Sequence, residues 1–333
     1  MGYSISIDKS DTLFQSLSEQ YDIYAPKVYE GEGCFSDTDS LRYGKVNSFD
    51  EIEFETKSEY SHKEVLIPVR ETLFYFVGNE TMVPEEEKKG AIIFVRSCDL
   101  HAIKRLDQMY LKNGATDFYY ERRRNKVKFA LIGCETTCKS GFCVSMGTNQ
   151  TNEYDFSFKI ANGQMLVDCK DDTLNGYFEA VKTCDCDVTP DFVTENEEKV
   201  TLPRKLSNDS FTDELWEEYG SRCINCGRCN FVCPTCTCFS MQDIFYKDNQ
   251  TAGERRRVWA SCQVDGYTDM AGGHSFRKSN TDRMRFKVMH KIYDFEKRFG
   301  YPMCIGCGRC DDVCPEYISF SNLVNKLAKK ETE

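Results

Sequence analysis

The apolar and polar positions in the first half of the chain predict buried strands that alternate with helices. The run AIIFV (91–95) is continuously apolar, as a buried strand is, and KVKFALIG (126–133) predicts a second strand. Between them, LHAIKRLDQMYL (100–111) repeats its apolar residues at helical spacing, with Asp99 as the predicted N-cap. Farther along, Asn162-Gly163 separates two more strand-like runs and predicts a tight hairpin turn. This order of elements indicates a mixed α/β region.

The pattern changes in the last third of the chain, where helical spacing dominates. DELWEEYG (213–220) and SFSNLVNKLAKK (319–330) predict short helices. The segment DRMRFKVMHKIYDFEKRFG (282–300) brings its apolar residues onto one helical face and ends at Gly300, a residue typical of helix C-caps. We therefore expect a mostly helical C-terminal region.

A polar segment separates the two regions. Residues 189–210 contain two prolines and few large apolar side chains, which is typical of a linker. The fold class predicted is α+β, with an N-terminal mixed α/β domain (1–195) followed by a mostly α-helical domain (205–333). Partner docking is expected to involve the N-terminal domain.

Composition narrows the class of protein. The net charge of −11 argues against a nucleic-acid partner. No apolar run approaches the roughly 20 residues that cross a bilayer, and the N-terminus lacks the basic and apolar regions of a secretory signal. We therefore expect a cytoplasmic protein without a membrane partner. Its 19 cysteines then indicate metal ligands or redox groups, because thiols stay reduced inside cells.

Most of the C-terminal cysteines lie in two similar runs, CINCGRCNFVCP (223–234) and CIGCGRCDDVCP (304–315). Both have the spacing C-x2-C-x2-C-x3-C-P, which is that of bacterial ferredoxins with two [4Fe–4S] clusters. Three thiolates two residues apart can curl around one cluster, and Gly227 and Gly308 give the loops the necessary freedom. The runs differ at three aligned positions: Asn225/Gly306, Asn230/Asp311 and Phe231/Asp312.

The fourth cysteine of each run, followed by proline, usually binds the other cluster of such a pair. Each predicted ligand set therefore takes three cysteines from one run and one from the other. The first predicted set is Cys223, Cys226, Cys229 and Cys314, and the second is Cys304, Cys307, Cys310 and Cys233.

A pair of structural zinc sites is the alternative for these runs, and the chain would then be a zinc-binding interaction protein. Zinc favours two separated C-x2-C pairs in a tetrahedral arrangement. Three cysteines at two-residue intervals before Cys-Pro fit that pattern poorly, so the spacing favours iron–sulfur clusters.

The insert between the runs, residues 235–303, is much longer than the link of a compact ferredoxin. Because the insert is predicted to be helical, the C-terminal domain is expected to be an α-helical, ferredoxin-like dicluster domain. Lysine and arginine outnumber acidic residues between Gly253 and Gly300. These cations either favour reduced clusters and steer a partner, or form an ordinary solvated helix face.

Three further cysteines accompany the first run and the insert, and they can either donate S–H hydrogen bonds to cluster sulfurs or fill small apolar sites. Packing is the favoured interpretation for these residues, which are Cys236, Cys238 and Cys262.

A third cluster is hypothesised in the N-terminal domain. Cys98 and Cys134 each follow one of the predicted buried strands, and Cys138 and Cys143 come shortly afterwards. If the strands are parallel neighbours, these thiols meet at the carboxyl edge of the sheet, where open α/β sheets usually place sites. Buried free cysteines without a ligand are the alternative.

No catalytic residue is predicted. The chain lacks G-x-G-x-x-G after a strand and G-x4-G-K-[ST], and its four histidines are scattered. We therefore expect a non-catalytic electron-transfer subunit that needs partner chains for chemistry.

Several motifs, in their order along the chain, resemble the dicluster iron–sulfur subunit of anaerobic sulfite reductase. The motifs are the segment from Arg96 to Glu135, FCVSMGTN (142–149), CINCGRCNFVCPTCTCF (223–239), WASC (259–262) and CIGCGRCDDVCP (304–315). The resemblance implies a cytoplasmic complex in which a flavin subunit takes electrons from NADH. This chain would relay them to a sirohaem subunit that reduces sulfite to sulfide. The N-terminal motifs are also similar to those of iron–sulfur β subunits of soluble hydrogenases, which is the alternative.

Overall fold

The computed structural model describes residues 1–34, 37–85, 88–204, 206, 208–247 and 249–330. Its strands are β1 Gly2–Ser6, β2 Tyr21–Tyr29, β3 Ser40–Lys45, β4 Arg70–Val77, β5 Glu80–Met82, β6 Gly90–Val95, β7 Val127–Ile132, β8 Phe156–Ala161, β9 Gln164–Cys169, β10 Cys184–Asp185, β11 Phe239–Tyr246, β12 Asn249–Trp259, β13 Asp269–Met270 and β14 His274–Ser275.

The α-helices are α1 Ser10–Ser18, α2 Lys63–Leu66, α3 Ser97–Leu111, α4 Phe118–Arg124, α5 Asn175–Val181, α6 Leu215–Arg222, α7 Arg228–Phe231, α8 Asn280–Met289, α9 Phe295–Phe299, α10 Arg309–Asp312 and α11 Phe320–Lys330. Short 3-10 helices cover Ile7–Lys9, Phe49–Glu51 and Asn208–Phe211, and a π-helical turn covers His290–Asp294. Among the described residues, no helix is long and apolar enough to cross a membrane.

The chain folds into two units that interleave along the sequence. The first unit is Met1–His62, Glu87–Glu197 and Ile305–Cys307, and the second is Lys63–Glu86, Glu198–Cys304 and Gly308–Glu333. The predicted domain ranges, 1–195 and 205–333, each run continuously along the chain and therefore lack this exchange of segments. It arises because β4 pairs with β12 of the insert, and because Ile305–Cys307 bonds to residues of the first unit.

The first unit is built on an eight-stranded sheet of order β10-β1-β9-β8-β7-β6-β2-β3. The predicted strands β6 and β7 are confirmed, and they are parallel neighbours. The predicted hairpin turn is confirmed as well: Asn162 and Gly163 have φ of 52° and 71°, as a tight turn with two left-handed residues requires. Aliphatic and aromatic residues of this sheet and of α1 and α5 form one apolar core.

The predicted N-cap of α3 is wrong. The helix begins at Ser97 with Arg96 in the N-cap position, and Asp99 lies inside the first turn. Asp99 is completely buried, and its Oδ1 lies 3.6 Å from Nδ1 of the equally buried His62. Asp99 therefore lies in the buried interior of the first turn and not at the exposed position that an N-cap occupies.

The second unit combines helices with a four-stranded antiparallel sheet of order β11-β12-β4-β5. The prediction of a helical insert is therefore wrong for its first half, since residues 239–259 form a hairpin. These strands carry little apolar alternation because charged pairs hold them in the sheet. Arg255 donates to the two carboxylate oxygens of Asp243 at 2.6 and 2.7 Å, and the buried Arg257 donates to Glu71 Oε2 at 2.7 Å. The sequence pattern that indicates strands is consequently absent.

The second half of the insert is helical as predicted. Ser279 and Asp282 form a capping box at the start of α8, and Gly300, with φ of 84°, ends α9. A π-helical turn, His290–Asp294, separates α8 from α9, and such turns are frequent at functional sites. The fold as a whole is α+β, which confirms the predicted class.

Candidate metal centre

The two cysteine runs adopt the same local conformation. Gly227 and Gly308 have φ of 74° and 72°, and each precedes a one-turn helix, α7 or α10. The predicted role of these glycines is therefore confirmed, because a left-handed φ strains residues with a side chain. Asn225 and Gly306, two residues earlier, are left-handed as well.

The first predicted ligand set lines one cavity of the second unit. The lining residues include all four members of this set, Cys223, Cys226, Cys229 and Cys314, and Cys310 also contributes to the wall. The backbone N–H of Ile318 points at Cys314 Sγ from 3.4 Å, as peptide groups around iron–sulfur clusters do. Apolar side chains and several polar ones, among them Lys287, complete the wall. Four thiols around one space of this kind suit a cubane cluster.

The second predicted set is divided by the unit boundary: Cys233, Cys304 and Cys310 belong to the second unit and Cys307 to the first. Within the second unit, Lys291 links two of these cysteines. Its Nζ donates to Cys233 Sγ at 3.3 Å, and its carbonyl oxygen accepts the N–H of Cys304 at 3.2 Å. Lys291 belongs to the π-helical turn His290–Asp294, so this turn contacts both Cys233 and Cys304.

Buried lysines accompany both sets. Lys287 and Lys291 are 7% and 4% exposed, so they do not belong to a solvated helix face. Burial opposes their charge, but the thiols of Cys229 and Cys310 raise the pKa of Lys287 well above its ordinary value, and Cys233 raises that of Lys291. Both ammonium groups therefore place positive charge beside the predicted ligands.

The positions at which the runs differ have separate structural roles. Asn230, which is buried, donates through Nδ2 to Cys262 Sγ at 3.1 Å. Its counterpart Asp311 instead caps α11, because its Oδ1 accepts the N–H of Phe320 at 2.8 Å. The residues that the two runs share form the cysteine loop, and the residues that differ hydrogen-bond each loop to different neighbours.

The structure also brings the four N-terminal cysteines together. Cys98 lies in the first turn of α3, and Cys134 follows β7 at the carboxyl edge of the sheet. Arg96 donates to Cys134 Sγ at 3.3 Å and is close enough to interact with Cys98 and Cys138. Cys143 in turn interacts with Cys134 and Cys138, and burial raises its pKa to about 11. Cys98, Cys134 and Cys138 thus lie around one buried guanidinium, and Cys143 neighbours two of them.

Sequence reasoning missed two residues that hold this group. Arg96 is anchored by bonds from Nη2 to the carbonyl oxygens of Phe54 and Glu55, at 2.7 and 2.8 Å. Asn196 accepts the N–H of Val144 at 2.8 Å and donates to Thr137 Oγ1 at 2.8 Å and to Cys143 Sγ at 3.7 Å. Arg96 lies two residues before Cys98 in the sequence, but Asn196 is far along the chain and belongs to no motif.

Replacing Asn196 by leucine is expected to destabilise the first unit by roughly 1–3 kcal/mol, because it leaves the partly buried N–H of Val144 without its acceptor. Chemical denaturation measures this loss, and iron analysis measures whether the Cys143 loop still holds metal. Asn152→Leu, at an exposed position, is the control. Unchanged stability of Asn196→Leu would contradict the assigned role.

The second run contacts the Cys143 loop inside the first unit. The N–H of Phe142 donates to the carbonyl oxygen of Gly306 at 2.7 Å, and Thr148 Oγ1 donates to that of Ile305 at 2.6 Å. A Cβ added to Gly306 would lie 2.6 Å from the carbonyl oxygen of Phe142. Glycine is therefore required here by close backbone approach.

Gly306→Asn gives a direct test, because asparagine occupies the equivalent Asn225. Asparagine tolerates the left-handed φ, so the expected destabilisation of about 1–3 kcal/mol arises from the clash with Phe142 alone. Thermal unfolding measures it, with Asn225→Gly as the matched control. Equal stability of Gly306→Asn and the wild type would show that the contact does not constrain this position.

Four other cysteines are not grouped with these sites. Cys34 and Cys184 are exposed, Cys186 is partly buried, and Cys169 is buried in the sheet. Within the described part of the chain, no group of three or more His, Cys, Asp or Glu side chains is placed to hold a single metal ion. That finding concerns single ions, because the thiolates around a [4Fe–4S] cluster lie farther apart than those around one metal ion.

Comparison with known proteins defines the class. Residues 222–318 match the 4Fe-4S dicluster domain family, so the chain carries an iron–sulfur domain. It is 30% identical, over 95% of its own length and 95% of the relative's, to sulfhydrogenase 2 subunit beta of Pyrococcus furiosus. The chain belongs to the same family of iron–sulfur subunits. No solved structure gives a match.

Proposed function

We propose that the chain is the electron-relay subunit of a cytoplasmic, hydrogenase-type oxidoreductase complex. The observation that carries this proposal is the match to a sulfhydrogenase subunit over nearly the whole of both chains. A flavin subunit that oxidises a nicotinamide nucleotide is the proposed electron partner on one side, and a catalytic hydrogenase subunit on the other. Neither nucleic acid nor a membrane is a partner.

The relay uses [4Fe–4S] clusters, each of which gains or loses one electron at a time. We assign one cluster to Cys223, Cys226, Cys229 and Cys314, and the other to Cys304, Cys307, Cys310 and Cys233. The four thiols around one cavity support the first assignment. For the second, the contacts of Lys291 with Cys233 and Cys304 give support. Lys287 and Lys291 supply cations that favour the reduced state.

A third cluster is proposed at Cys98, Cys134, Cys138 and Cys143. Their grouping at the carboxyl edge of β6 and β7 supports it, and Arg96 would offset the charge of the thiolates. The contact between Phe142 and Gly306 would place the loop of this site against the second cysteine run. Electrons could then pass directly from one to the other.

Iron analysis tests the number of clusters. The anaerobically purified chain is expected to contain about twelve iron atoms and as much acid-labile sulfide, against about eight for two clusters. Cys138→Ser should lower the iron content of the chain by about four atoms relative to the wild type. A value of eight in the wild type would remove the third cluster, and bound zinc without sulfide would support the zinc-binding interaction protein instead.

The second candidate function is that of the dicluster iron–sulfur subunit in an anaerobic sulfite reductase. It is favoured by the order of motifs from Arg96 to Pro315. Its partners would be an NADH-oxidising flavin subunit and a sirohaem subunit. Affinity purification from the native cell under anaerobic conditions separates the two candidates: nickel in the complex supports the hydrogenase type, and sirohaem supports sulfite reduction.

A further inference from the structure

Two cysteines outside all three proposed ligand sets face each other at the base of the β11–β12 hairpin. Cys238 precedes β11, and Cys262 follows β12. Pairing of Phe239 with Trp259 brings the two ends together, and the N–H of Ala260 donates to the carbonyl oxygen of Cys238 at 3.0 Å. The side chains of Cys238 and Cys262 interact through a hydrogen bond between their sulfurs.

Cys262 Sγ accepts further hydrogen bonds from buried side-chain amides. Asn230 Nδ2 lies at 3.1 Å and Gln263 Nε2 at 3.9 Å, and both residues are almost fully buried. The bond from Cys238, aided by these amides, lowers the pKa of Cys262 to about 6 despite burial. The same hydrogen bond raises the pKa of Cys238. Two buried amide donors beside Cys262 Sγ stabilise a thiolate there, with a second thiol adjacent to it.

Cys238 and Cys262 both line one cavity of the second unit. Cations also line this cavity, namely Arg277, Lys287 and Lys291, and none of its described lining residues is Asp or Glu. The guanidinium of Arg277 lies 3.3 Å from the centre of the Phe286 ring. A cationic wall around a thiolate selects small molecules with negative charge. Packing alone would need neither the cavity nor its charge.

We propose that Cys262 and Cys238 form a thiol–disulfide exchange site for small anionic disulfides. The Cys262 thiolate attacks one sulfur of the substrate, which forms a mixed disulfide and releases one thiolate. The Cys238 sulfur then attacks Cys262 Sγ, its proton passing to the departing group. A Cys238–Cys262 disulfide forms and the second thiol leaves. The substrate gains two electrons and the pair loses two.

Return of the pair to the dithiol requires two electrons and two protons. This return step rests on the proposed electron relay, in which the iron–sulfur clusters assigned to the chain supply the electrons. The site would thus add a two-electron reaction to a protein whose clusters exchange single electrons. It requires no residue of the proposed cluster ligand sets.

Dithiodiglycolate, a dianionic disulfide, and cystamine, a dicationic one of similar size, are the probes for this site. The anaerobic, cluster-containing chain is mixed with one probe, quenched with acid and digested, and its peptides are analysed by mass spectrometry. We expect a cross-linked peptide joining Cys238 to Cys262, formed roughly tenfold faster with dithiodiglycolate than with cystamine. Arg277→Gln should reduce that preference.

Substitution of each cysteine separates the two steps. Cys238→Ser should stop at a thioglycolate adduct on Cys262, whereas Cys262→Ser should leave Cys238 unmodified. Cys169→Ser, at a buried cysteine outside the cavity, should behave as the wild type. A cross-link through Cys236, equal rates for both probes, or an adduct on Cys238 in Cys262→Ser would each overturn the proposal. Iron content, measured in parallel, reports on the proposed clusters separately.

Discussion

Cys314→Ser is expected to remove the cluster that Cys223, Cys226 and Cys229 hold, although position 314 lies far from them in sequence. The physical reason is that Cys314 faces the same cavity as those three thiols, and a hydroxyl is a much weaker ligand for iron than a thiolate. The loss should amount to about four iron atoms per chain, with the other dicluster site retained. Electron paramagnetic resonance of the dithionite-reduced protein measures which signal disappears.

Cys184→Ser is the matched control, because Cys184 is exposed and belongs to no proposed site. Cys310→Ser provides the converse test, since Cys310 borders the same cavity but is assigned to the second set. If Cys314→Ser instead removed the signal of the Cys304–Cys310 cluster first, the cross-ligation would be wrong. Each run would then hold its own cluster.

Lys291→Met is expected to lower the reduction potential of the cluster assigned to Cys233 and Cys304. Reduction adds negative charge, and the buried ammonium group that stabilises this charge would be absent. A unit charge at about 4 Å and an effective dielectric constant of about 20 contributes about 4 kcal/mol, which corresponds to a shift on the order of 100–200 mV for one electron. Potentiometric titration followed by electron paramagnetic resonance measures the shift.

Lys291→Arg keeps the charge and should restore most of the potential. Lys326→Met removes an exposed lysine that pairs with Glu218 at 2.6 Å, so it should leave the potential unchanged. Iron content of each variant distinguishes a shifted cluster from a lost one. Identical midpoint potentials in the wild type and in a fully loaded Lys291→Met protein would contradict the role of this cation.

Local patterns were sufficient for the elements that are continuous in sequence. The apolar runs that form β6 and β7, the Asn162-Gly163 turn and the helix ending at Gly300 all follow from nearest neighbours, because their backbone conformation depends on residues close along the chain. The cysteine spacing likewise specifies the cluster loops, since each loop is a short segment with glycine at its left-handed position.

Elements stabilised by distant partners could not be predicted in this way. The β11–β12 hairpin depends on β4, with the ion pair of Arg257 and Glu71 between strands far apart in sequence. Asp99 is buried beside His62, which is distant in sequence, and Asn196 reaches Cys143 from the predicted linker. None of these contacts leaves a period or a motif in the local sequence.

The sequence by itself therefore determined that the chain has two cysteine loops of ferredoxin type and that the apolar runs at β6 and β7 form strands. Both properties reside in short segments; the family match over residues 222–318 agrees with the first, and the observed strands agree with the second. Only the tertiary structure decided what surrounds the thiols: Lys287 and Lys291 beside the dicluster sites, Arg96 beside Cys134, and Cys238 opposite Cys262. Charge and hydrogen bonding around sulfur depend on residues that meet only when the chain has folded, because spatial distance governs those forces.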